Sequence, residues 1–447
     1  MKAILTIFIT FFITVSFSQN DISKMLTEIA VAPSADRIEK DINVLVNFGT
    51  RHTLSDTISD TRGIGAARRW IKSEFDLISS NCNNCLEVSF QRNLVPKNER
   101  RIIKDTWVVN VLAIQRGTDH PNSYVIMSGD IDSRVSDPNN FTSDSPGAND
   151  NASGMAGTME AARVLSKYKF PISIIYVGLS GEEQGLYGGQ YMAKVAKEQS
   201  WNIIGVINND MIGNIKGIDG VIDNSTFRVF SEAISMETTD KQKTAMRYYG
   251  GEVDGPSRQL ARYIDRLTEA YMTNLNAIMI YRLDRFGRGG HHRPFNDAGF
   301  TGVRIMETHE NYNEQHQDIR NENGINYGDV ISSVNFDYAS KLTAVNALTL
   351  ASLASAPLAP QNVKIGGAVQ PSTQLQWDAV ASNDLLGYKI YWRDTTSPQW
   401  QYSRFVGKVT DYTLKNIVID NYLFGVASIS KNGAESLVQF PNKLIGR

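Results

Sequence analysis

Apolar and polar residues follow two different patterns along this chain, and the patterns divide it into two parts. Over residues 105–355, short apolar runs alternate with stretches in which apolar residues recur every three or four positions, as on a helix face. This order predicts an α/β fold, with a mostly parallel mixed sheet flanked by helices. Residues 361–447 hold only short strand-like segments between polar turns, which predicts a small all-β sandwich of antiparallel strands.

The clearest elements up to residue 355 can be assigned from periodicity. Helices are expected over residues 21–48, 65–78, 152–165, 188–197, 260–275 and 337–353, and strands over 106–114, 124–127, 172–179, 203–208 and 302–306. In the second part, strands are expected over residues 375–377, 387–392, 412–414 and 422–429. Open α/β sheets with parallel strands bind ligands beyond the carboxyl ends of those strands. The residues that follow each strand are therefore the candidates for chemistry.

The length of 447 residues exceeds what one hydrophobic core usually supports, so two folded domains are expected. We predict a signal peptide over residues 1–18, where Met1-Lys2 precedes a short apolar run that ends in small residues. The alternative is an uncleaved anchor, which the shortness of the run disfavours. The division is completed by the larger α/β domain over 19–355, a linker rich in Ala, Ser and Pro over 356–360, and the sandwich over 361–447.

Composition and charge narrow the range of functions. A formal net charge of −2, from 45 basic and 47 acidic residues, gives no reason to expect nucleic acid or an anionic membrane as a partner. No other segment is long and apolar enough to span a membrane, so the mature protein is expected to be secreted or periplasmic. The only cysteines, Cys82 and Cys85, are expected to form a local disulfide, as suits an exported protein.

Acidic residues follow four of the expected strands. Glu182 and Glu183 adjoin after the strand over 172–179, and two neighbouring carboxylates stay ionised only beside a positive charge. A divalent metal bound by one carboxylate, with the other free as a base, removes the conflict. Taken singly, each acidic residue reads as a helix cap or a turn residue. Four such strand ends in one domain instead indicate a metal site; the acids are Asp130, Asp132, Asp150, Glu182, Glu183 and Asp210.

Three short motifs connect these acids to a known family. They lie at residues 147–154 (Gly-Ala-Asn-Asp-Asn-Ala-Ser-Gly), 181–185 (Gly-Glu-Glu-Gln-Gly) and 208–213 (Asn-Asn-Asp-Met-Ile-Gly). With them, residues 105–355 resemble a secreted zinc peptidase of family M28, which includes bacterial aminopeptidases. The resemblance implies a secreted exopeptidase that acts on peptides or proteins with two zinc ions.

The resemblance also implies roles for individual residues. Asp150 would bridge the two zinc ions, and Glu182 would be the general base. The metal ligands implied are Asp130, Asp150, Glu183, Asp210 and His316, the last from a loose match over residues 312–318. Asp132 would orient a ligand, and His292 would line the substrate cleft.

One position departs from the family pattern. The family usually carries His-x-Asp-Ser after its first strand, whereas this chain has Asp130-Ile131-Asp132-Ser133. Zinc accepts a carboxylate oxygen as well as an imidazole nitrogen. The exchange adds negative charge, and it favours a weaker zinc site or a harder ion such as manganese or magnesium at Asp130.

Three rival functions follow from the same residues. A glutaminyl cyclase shares this fold with a single zinc, and a metallo-carboxypeptidase of the same fold is a further alternative. A non-catalytic binding protein is the third, although it would have no need of the base Glu182. The second part of the chain resembles a fibronectin type III domain, on the basis of Trp377 and the strands over 387–392 and 422–429.

Overall fold

The computed structural model describes residues 20–98 and 100–446, so the predicted signal peptide lies outside the described residues. The helices are α1 (Asn20–Ala30), α2 (Ala35–Asn47), α3 (Gly63–Asn81), α4 (Gly154–Leu165), α5 (Tyr187–Glu198), α6 (Asp240–Met246), α7 (Pro256–Tyr271), α8 (His292–Asp297) and α9 (Phe336–Ala354). The strands of the first part are β1 (Leu86–Val95), β2 (Thr106–Gln115), β3 (His120–Asp130), β4 (Ile172–Leu179), β5 (Asn202–Asn209), β6 (Thr226–Ser231), β7 (Asn276–Ile280), β8 (Gly302–Glu307), β9 (Arg320–Glu322) and β10 (Ile325–Tyr327). Within these described ranges, no helix is long and apolar enough to cross a membrane.

Eight of these strands form one mixed sheet in the order β1-β2-β4-β3-β5-β8-β6-β7. The four central strands β4, β3, β5 and β8 run parallel to one another, so their carboxyl ends share one edge. One hydrophobic core packs the sheet against α1–α4, α7 and α9, and a second packs the opposite face against α5 and α8. The predicted α/β class, with a mixed sheet flanked by helices, is confirmed.

The expected elements differ from the observed ones where local sequence is ambiguous. The single helix expected over residues 21–48 is two helices, because the chain turns at residues 31–34, which include Pro33. The strands β1, β6 and β7 were not expected. Strand β7 lies at the edge of the sheet and is only partly buried, so it lacks the continuous apolar run that marks β4.

The last part of the chain forms two small sheets over a common core. Its strands are β11 (Lys364–Gly366), β12 (Thr373–Gln376), β13 (Leu385–Asp394), β14 (Tyr402–Gly407), β15 (Asp411–Leu414), β16 (Tyr422–Ser430) and β17 (Lys443–Leu444). The sheet orders are β15-β12-β11-β17 and β14-β13-β16. Pairing is antiparallel as expected, apart from the short parallel contact of β17 with β11. Leu375 and Trp377 from one sheet pack with Ile390 and Val426 from the other.

The disulfide expected from the sequence is present. Cys82 and Cys85 are bonded to each other just after α3, where they close a tight turn that leads into β1. Both cysteines pack against the core that contains α1–α4, α7 and α9, and they lie far in sequence from the acidic motifs. The place of the disulfide in the fold is therefore structural, in agreement with the expectation.

Candidate active site

The acidic motifs meet at the edge where the central parallel strands end. Asp130 is the last residue of β3, Glu182 and Glu183 follow β4, and Asp210 follows β5. Asp150 lies in the turn Ala148–Ser153, directly before α4, with a backbone conformation that is not helical. The backbone amides of Asn149 and Asp150 donate to the two oxygens of Asp329, at 2.8 and 2.6 Å, and this holds the turn in place.

Three of the predicted ligands form a compact cluster. The Nε2 atom of His316 lies 3.0 Å from Oδ2 of Asp150 and 2.9 Å from Oε1 of Glu183. One ligand atom from each residue lies within 4.8 Å of the other two. One imidazole and two carboxylates with a fourth position open are the donor set of a catalytic zinc site. The residues therefore fit a single divalent ion.

The charged groups of this cluster stabilise one another's ionised forms. Burial lowers the pKa of His316, but the carboxylates of Glu183 and Asp150 outweigh it and raise that pKa to about 9. Burial likewise opposes ionisation of Asp150, yet the charge of His316 and its hydrogen bond hold the pKa of Asp150 below its ordinary value. The same imidazole holds the pKa of Glu183 low. Positive charge beside these two carboxylates, from His316 or from Arg134, thus favours their ionised forms.

Two further side chains fix the cluster from outside. Arg134 donates from Nε to Oε2 of Glu183 at 2.8 Å, and its Nη2 lies 2.6 Å from Nδ1 of His316. Gln315 donates from Nε2 to Oδ2 of Asp150 at 3.2 Å. The carboxylate oxygens and the ring that would face a metal are thus oriented by protein groups.

Asp132 supports the turn that carries the Glu182-Glu183 pair. Its Oδ1 accepts from the backbone N–H of Glu182 at 3.2 Å, and its Oδ2 accepts from that of Glu183 at 3.1 Å. The hydroxyl of Thr53 donates to Oδ2 at 2.9 Å. Asp132 therefore sets the direction of both glutamates without belonging to the three-residue cluster.

Glu182 lies among several other acids. Burial raises the pKa of its carboxyl well above the ordinary value, and the charges of Glu183 and Asp210 add to this effect. A carboxyl with a raised pKa in a crowded acidic pocket is suited to accept and return a proton near neutral pH.

Asp130 does not belong to the three-residue cluster. Its Oδ1 lies 2.5 Å from Nδ1 of His291, and its Oδ2 accepts from Nδ2 of Asn151 at 2.7 Å. Burial raises the pKa of Asp130 well above its ordinary value, and the neighbouring charge of Asp132 raises it further.

Asp210 also lies apart from the cluster, in contact with an arginine. The Nη2 atom of Arg304, on β8, lies 3.0 Å from Oδ2 of Asp210. The same guanidinium donates through Nη1 to both oxygens of Asp284, at 2.9 and 3.1 Å. Burial raises the pKa of Asp210, and the charge of Arg304 opposes that shift.

His292, expected at the cleft wall, is fully buried at the start of α8. Its Nε2 lies 2.9 Å from the carbonyl oxygen of Leu283 and 3.6 Å from Oδ2 of Asp284. Its neighbour His291 contacts Asp130 directly. Of the two adjacent histidines, His291 is therefore the one that touches a predicted site residue.

Sequence reasoning did not identify Arg304, Arg134 and Asp329 as part of this region. Arg304 could have been recognised from the sequence, because it stands between Val303 and Ile305 in an otherwise apolar strand. A charged residue in a buried strand needs a partner of opposite charge. The other two belong to loops, where no periodic pattern indicates which side chains point inward.

Comparisons with known proteins agree with this architecture. The sequence pattern of peptidase family M28 matches residues 110–332. A probable zinc metalloprotease of Pyrenophora teres f. teres is 42% identical over 412 residues, which cover 91% of this chain and 85% of the relative. A probable zinc metalloprotease of Leptosphaeria maculans is 41% identical over 424 residues, covering 95% of this chain and 97% of that one.

Solved structures share the fold at lower sequence identity. The LapA aminopeptidase of Legionella pneumophila superposes with a TM-score of 0.52 at 18% identity, over 79% of this chain and 80% of LapA. The fold and the matched sequences together define a hydrolase of the metallopeptidase class. More narrowly, the chain belongs to peptidase family M28.

Proposed function

We propose that this protein is a secreted, zinc-dependent aminopeptidase that hydrolyses the N-terminal peptide bond of peptides or proteins. The observation that carries the proposal is the cluster of Asp150, Glu183 and His316 beside the free carboxyl of Glu182. The relatives named as probable zinc metalloproteases support zinc as the metal. The shared fold with the LapA aminopeptidase supports the choice of an exopeptidase.

Each residue of the cluster has a stated task in this reaction. Asp150, Glu183 and His316 would hold the zinc ion through oxygen and nitrogen donors. The ion would supply a Lewis acid that polarises the scissile carbonyl and lowers the pKa of a water molecule. Arg134 and Gln315 keep the donors in position.

Glu182 moves the proton. Its carboxylate takes a proton from the attacking water and then delivers it to the nitrogen of the leaving amine. Asp132 accepts from the backbone N–H groups of Glu182 and Glu183, and so keeps the base aimed at the cluster. A pKa raised by burial and by neighbouring carboxylates matches the base to both steps.

The substitution Glu182→Gln tests this assignment. We expect kcat on an aminoacyl arylamide to fall by about 10²–10⁴-fold, while the zinc content of the purified protein stays unchanged. Glu198→Gln, an exposed residue of α5 paired only with Lys194 at 3.7 Å, is the matched control and should keep full activity. Full activity of the Glu182→Gln protein would exclude Glu182 as the base.

The substrate class is tested with blocked peptides. An aminopeptidase should cleave a free aminoacyl arylamide and fail on its N-acetylated form, whereas a metallo-carboxypeptidase should require a free C-terminus. Glutaminyl cyclisation is the second candidate, because one ready-made metal position suits the single zinc of that reaction. A Gln-initiated peptide that loses ammonia without chain cleavage would establish it.

We also infer that residues 1–18 direct export and that residues 361–447 form a fibronectin type III-like domain. The apolar run after Met1-Lys2 supports the first inference. The two sheets that share Trp377 and Ile390 in one core support the second. N-terminal sequencing of the mature protein tests export, and a first residue other than Gln19 would contradict the assigned cleavage point.

A further inference from the structure

We propose that this protein holds one divalent ion, at Asp150, Glu183 and His316, and that the buried guanidinium of Arg304 replaces a second ion beside Asp210. The inference rests on the proposed function only in assuming a metal at the three-residue cluster. It does not depend on which bond the enzyme cleaves.

Arg304 is a buried, permanently charged residue beside the site. Its side chain is 0% exposed, and an arginine guanidinium stays protonated in proteins. Backbone pairing sets Arg304 of β8 opposite Asn208 of β5, two residues before Asp210. The guanidinium contacts the side chain of Asp210 at 3.0 Å and its carbonyl oxygen at 3.3 Å. Sheet register, rather than a flexible loop, therefore fixes the positive charge beside Asp210.

The partners of Arg304 are arranged around this charge. Asp284 binds its far side through both carboxylate oxygens, and the negative charges of Asp210, Asp284 and Glu182 all stabilise the protonated guanidinium. A buried cation is retained only where paired and hydrogen-bonded groups compensate its lost hydration. Asp210, which a second metal would neutralise, therefore already has a positive partner.

Asp130 is likewise committed to protein groups. Its two oxygens contact Nδ1 of His291 at 2.5 Å and Nδ2 of Asn151 at 2.7 Å. Over residues 20–98 and 100–446, the single set of three acidic or histidine side chains within ligand distance of one another contains neither Asp130 nor Asp210. The geometry of these residues therefore does not fit a second ion.

One buried atom near Asp130 favours a second ion. The Nε2 atom of His291 is buried and has no hydrogen-bond partner among the described residues. A carboxylate that orients a histidine, as Asp130 orients His291, is a common support for a metal ligand. Were His291 to bind a second ion with Asp210, the protein would hold two ions per chain. Counting ions separates the two arrangements.

The count is made on the full-length protein. The chain is stripped with a chelator, reloaded with excess Zn²⁺, freed of unbound ion by gel filtration, and analysed for zinc and protein by mass spectrometry. We expect one zinc per chain in the wild type, one in Asp210→Asn, and close to none in His316→Ala. Two zinc ions in the wild type, or loss of zinc from Asp210→Asn, would overturn the inference. A wild type that binds no zinc but cleaves peptides would instead refute the proposed function.

A gain of binding tests the role of Arg304 itself. The double variant Asp130→His/Arg304→Met removes the guanidinium and offers an imidazole, so we expect its zinc content to rise from one to two per chain. Asp130→His/Arg228→Met is the matched control and should stay at one, because Arg228 pairs with Glu310 and contacts neither Asp210 nor Asp284. Circular dichroism first establishes that each variant is folded. A folded double variant that still holds one zinc would overturn the assignment of Arg304. If the double variant does not fold, the zinc content of the wild type decides between one ion and two.

Discussion

Asp132 shows how one buried side chain sets the geometry of a reacting pair. It is 1% exposed, and its two oxygens accept from the consecutive backbone N–H groups of Glu182 and Glu183. Both oxygens are needed, because each N–H points at a different one. The direction of the base and of one metal donor is therefore fixed through the backbone of the turn.

Asp132→Asn should consequently weaken the site while leaving its ligands intact. One carboxylate oxygen becomes an amide nitrogen, which places a donor against a backbone N–H and tilts the turn. We expect a loss of about 10–100-fold in both kcat/KM and zinc affinity. Steady-state kinetics and competition with a chromophoric chelator measure the two effects.

Two controls separate this effect from general damage. Asp137→Asn makes the same change at an exposed residue of the same loop and should leave both quantities unaltered. Thr53→Val removes only the hydroxyl bond of 2.9 Å to Asp132 and should give a smaller loss than Asp132→Asn. Equal zinc affinity and equal kcat/KM in Asp132→Asn and the wild type would show that the turn does not need the carboxylate.

At the scale of single residues, the sequence indicates the acids but not their partners. Asp150, Glu183 and His316 were expected at the metal and lie together. The contact of Asp210 with Arg304 was not foreseen, because the two residues are far apart in sequence and meet only through the register of neighbouring strands. Local patterns carry no information on such register.

At the scale of elements, the site depends on how closely strand β3 approaches the start of helix α4. Gly129 precedes Asp130 in β3, and a Cβ atom there would lie 2.5 Å from the backbone carbonyl carbon of Gly154 and the nitrogen of Met155. These atoms belong to the backbone, so no flexible side chain is there to move aside. The absence of a side chain at Gly129 therefore lets the strand bring Asp130 and Asp132 to the site.

Gly129→Ala should push β3 away from α4. Overpacking of this kind destabilises a protein by about 1–3 kcal/mol, and the displaced strand should also lower zinc affinity. Thermal denaturation and zinc competition record the two changes. Gly205→Ala in the adjacent β5 is the matched control, since its Cβ would meet only side-chain atoms of Leu260, the nearest 3.1 Å away, and no backbone. Equal losses from the two variants would contradict a special role for the β3–α4 contact.

Elements were predictable where burial imposes a continuous pattern. Strand β4 is buried along its whole length, and its predicted limits, residues 172–179, match the observed ones. Strands β6 and β7 mix buried and partly exposed positions, so their residues show neither strict alternation nor a long apolar run. Pairing with β8 and with each other, a tertiary effect, supplies the stabilisation that the local sequence does not.

At the scale of the whole molecule, the C-terminal sheets and the metallopeptidase part share a buried interface. Ala434 and Leu437 pack into the same hydrophobic core as helices α1, α7 and α9. Tyr263 of α7 donates to the backbone oxygen of Glu435 at 2.8 Å. The sequence suggested two domains joined by a linker, and it gave no sign that the surface of one continues the core of the other. Amphipathic patterns show that a face is buried but not what covers it.

Asp254 connects the two parts electrostatically. Its carboxylate binds Arg262 of α7 through one oxygen and Arg393 of β13 through the other. All three side chains are nearly inaccessible to solvent, and Gln259 donates a further bond to the carboxylate at 2.9 Å. One buried anion thus pairs with two cations that belong to different parts of the chain.

Asp254→Ala should therefore loosen the C-terminal sheets as a unit. Removal of one member of a buried ion pair costs about 3–5 kcal/mol, because two guanidinium groups then face each other without a counter-charge. We expect a lower denaturation midpoint, a separate early transition of the C-terminal sheets, and faster proteolysis within residues 361–447.

Asp254→Ala/Arg393→Met should recover part of the loss, since it removes one of the unpaired cations. Asp240→Ala, at an exposed residue that pairs only with Lys243 in its own helix, is the control and should change nothing. A single transition at the wild-type midpoint in Asp254→Ala would mean that apolar packing around Leu437 alone holds the two parts together.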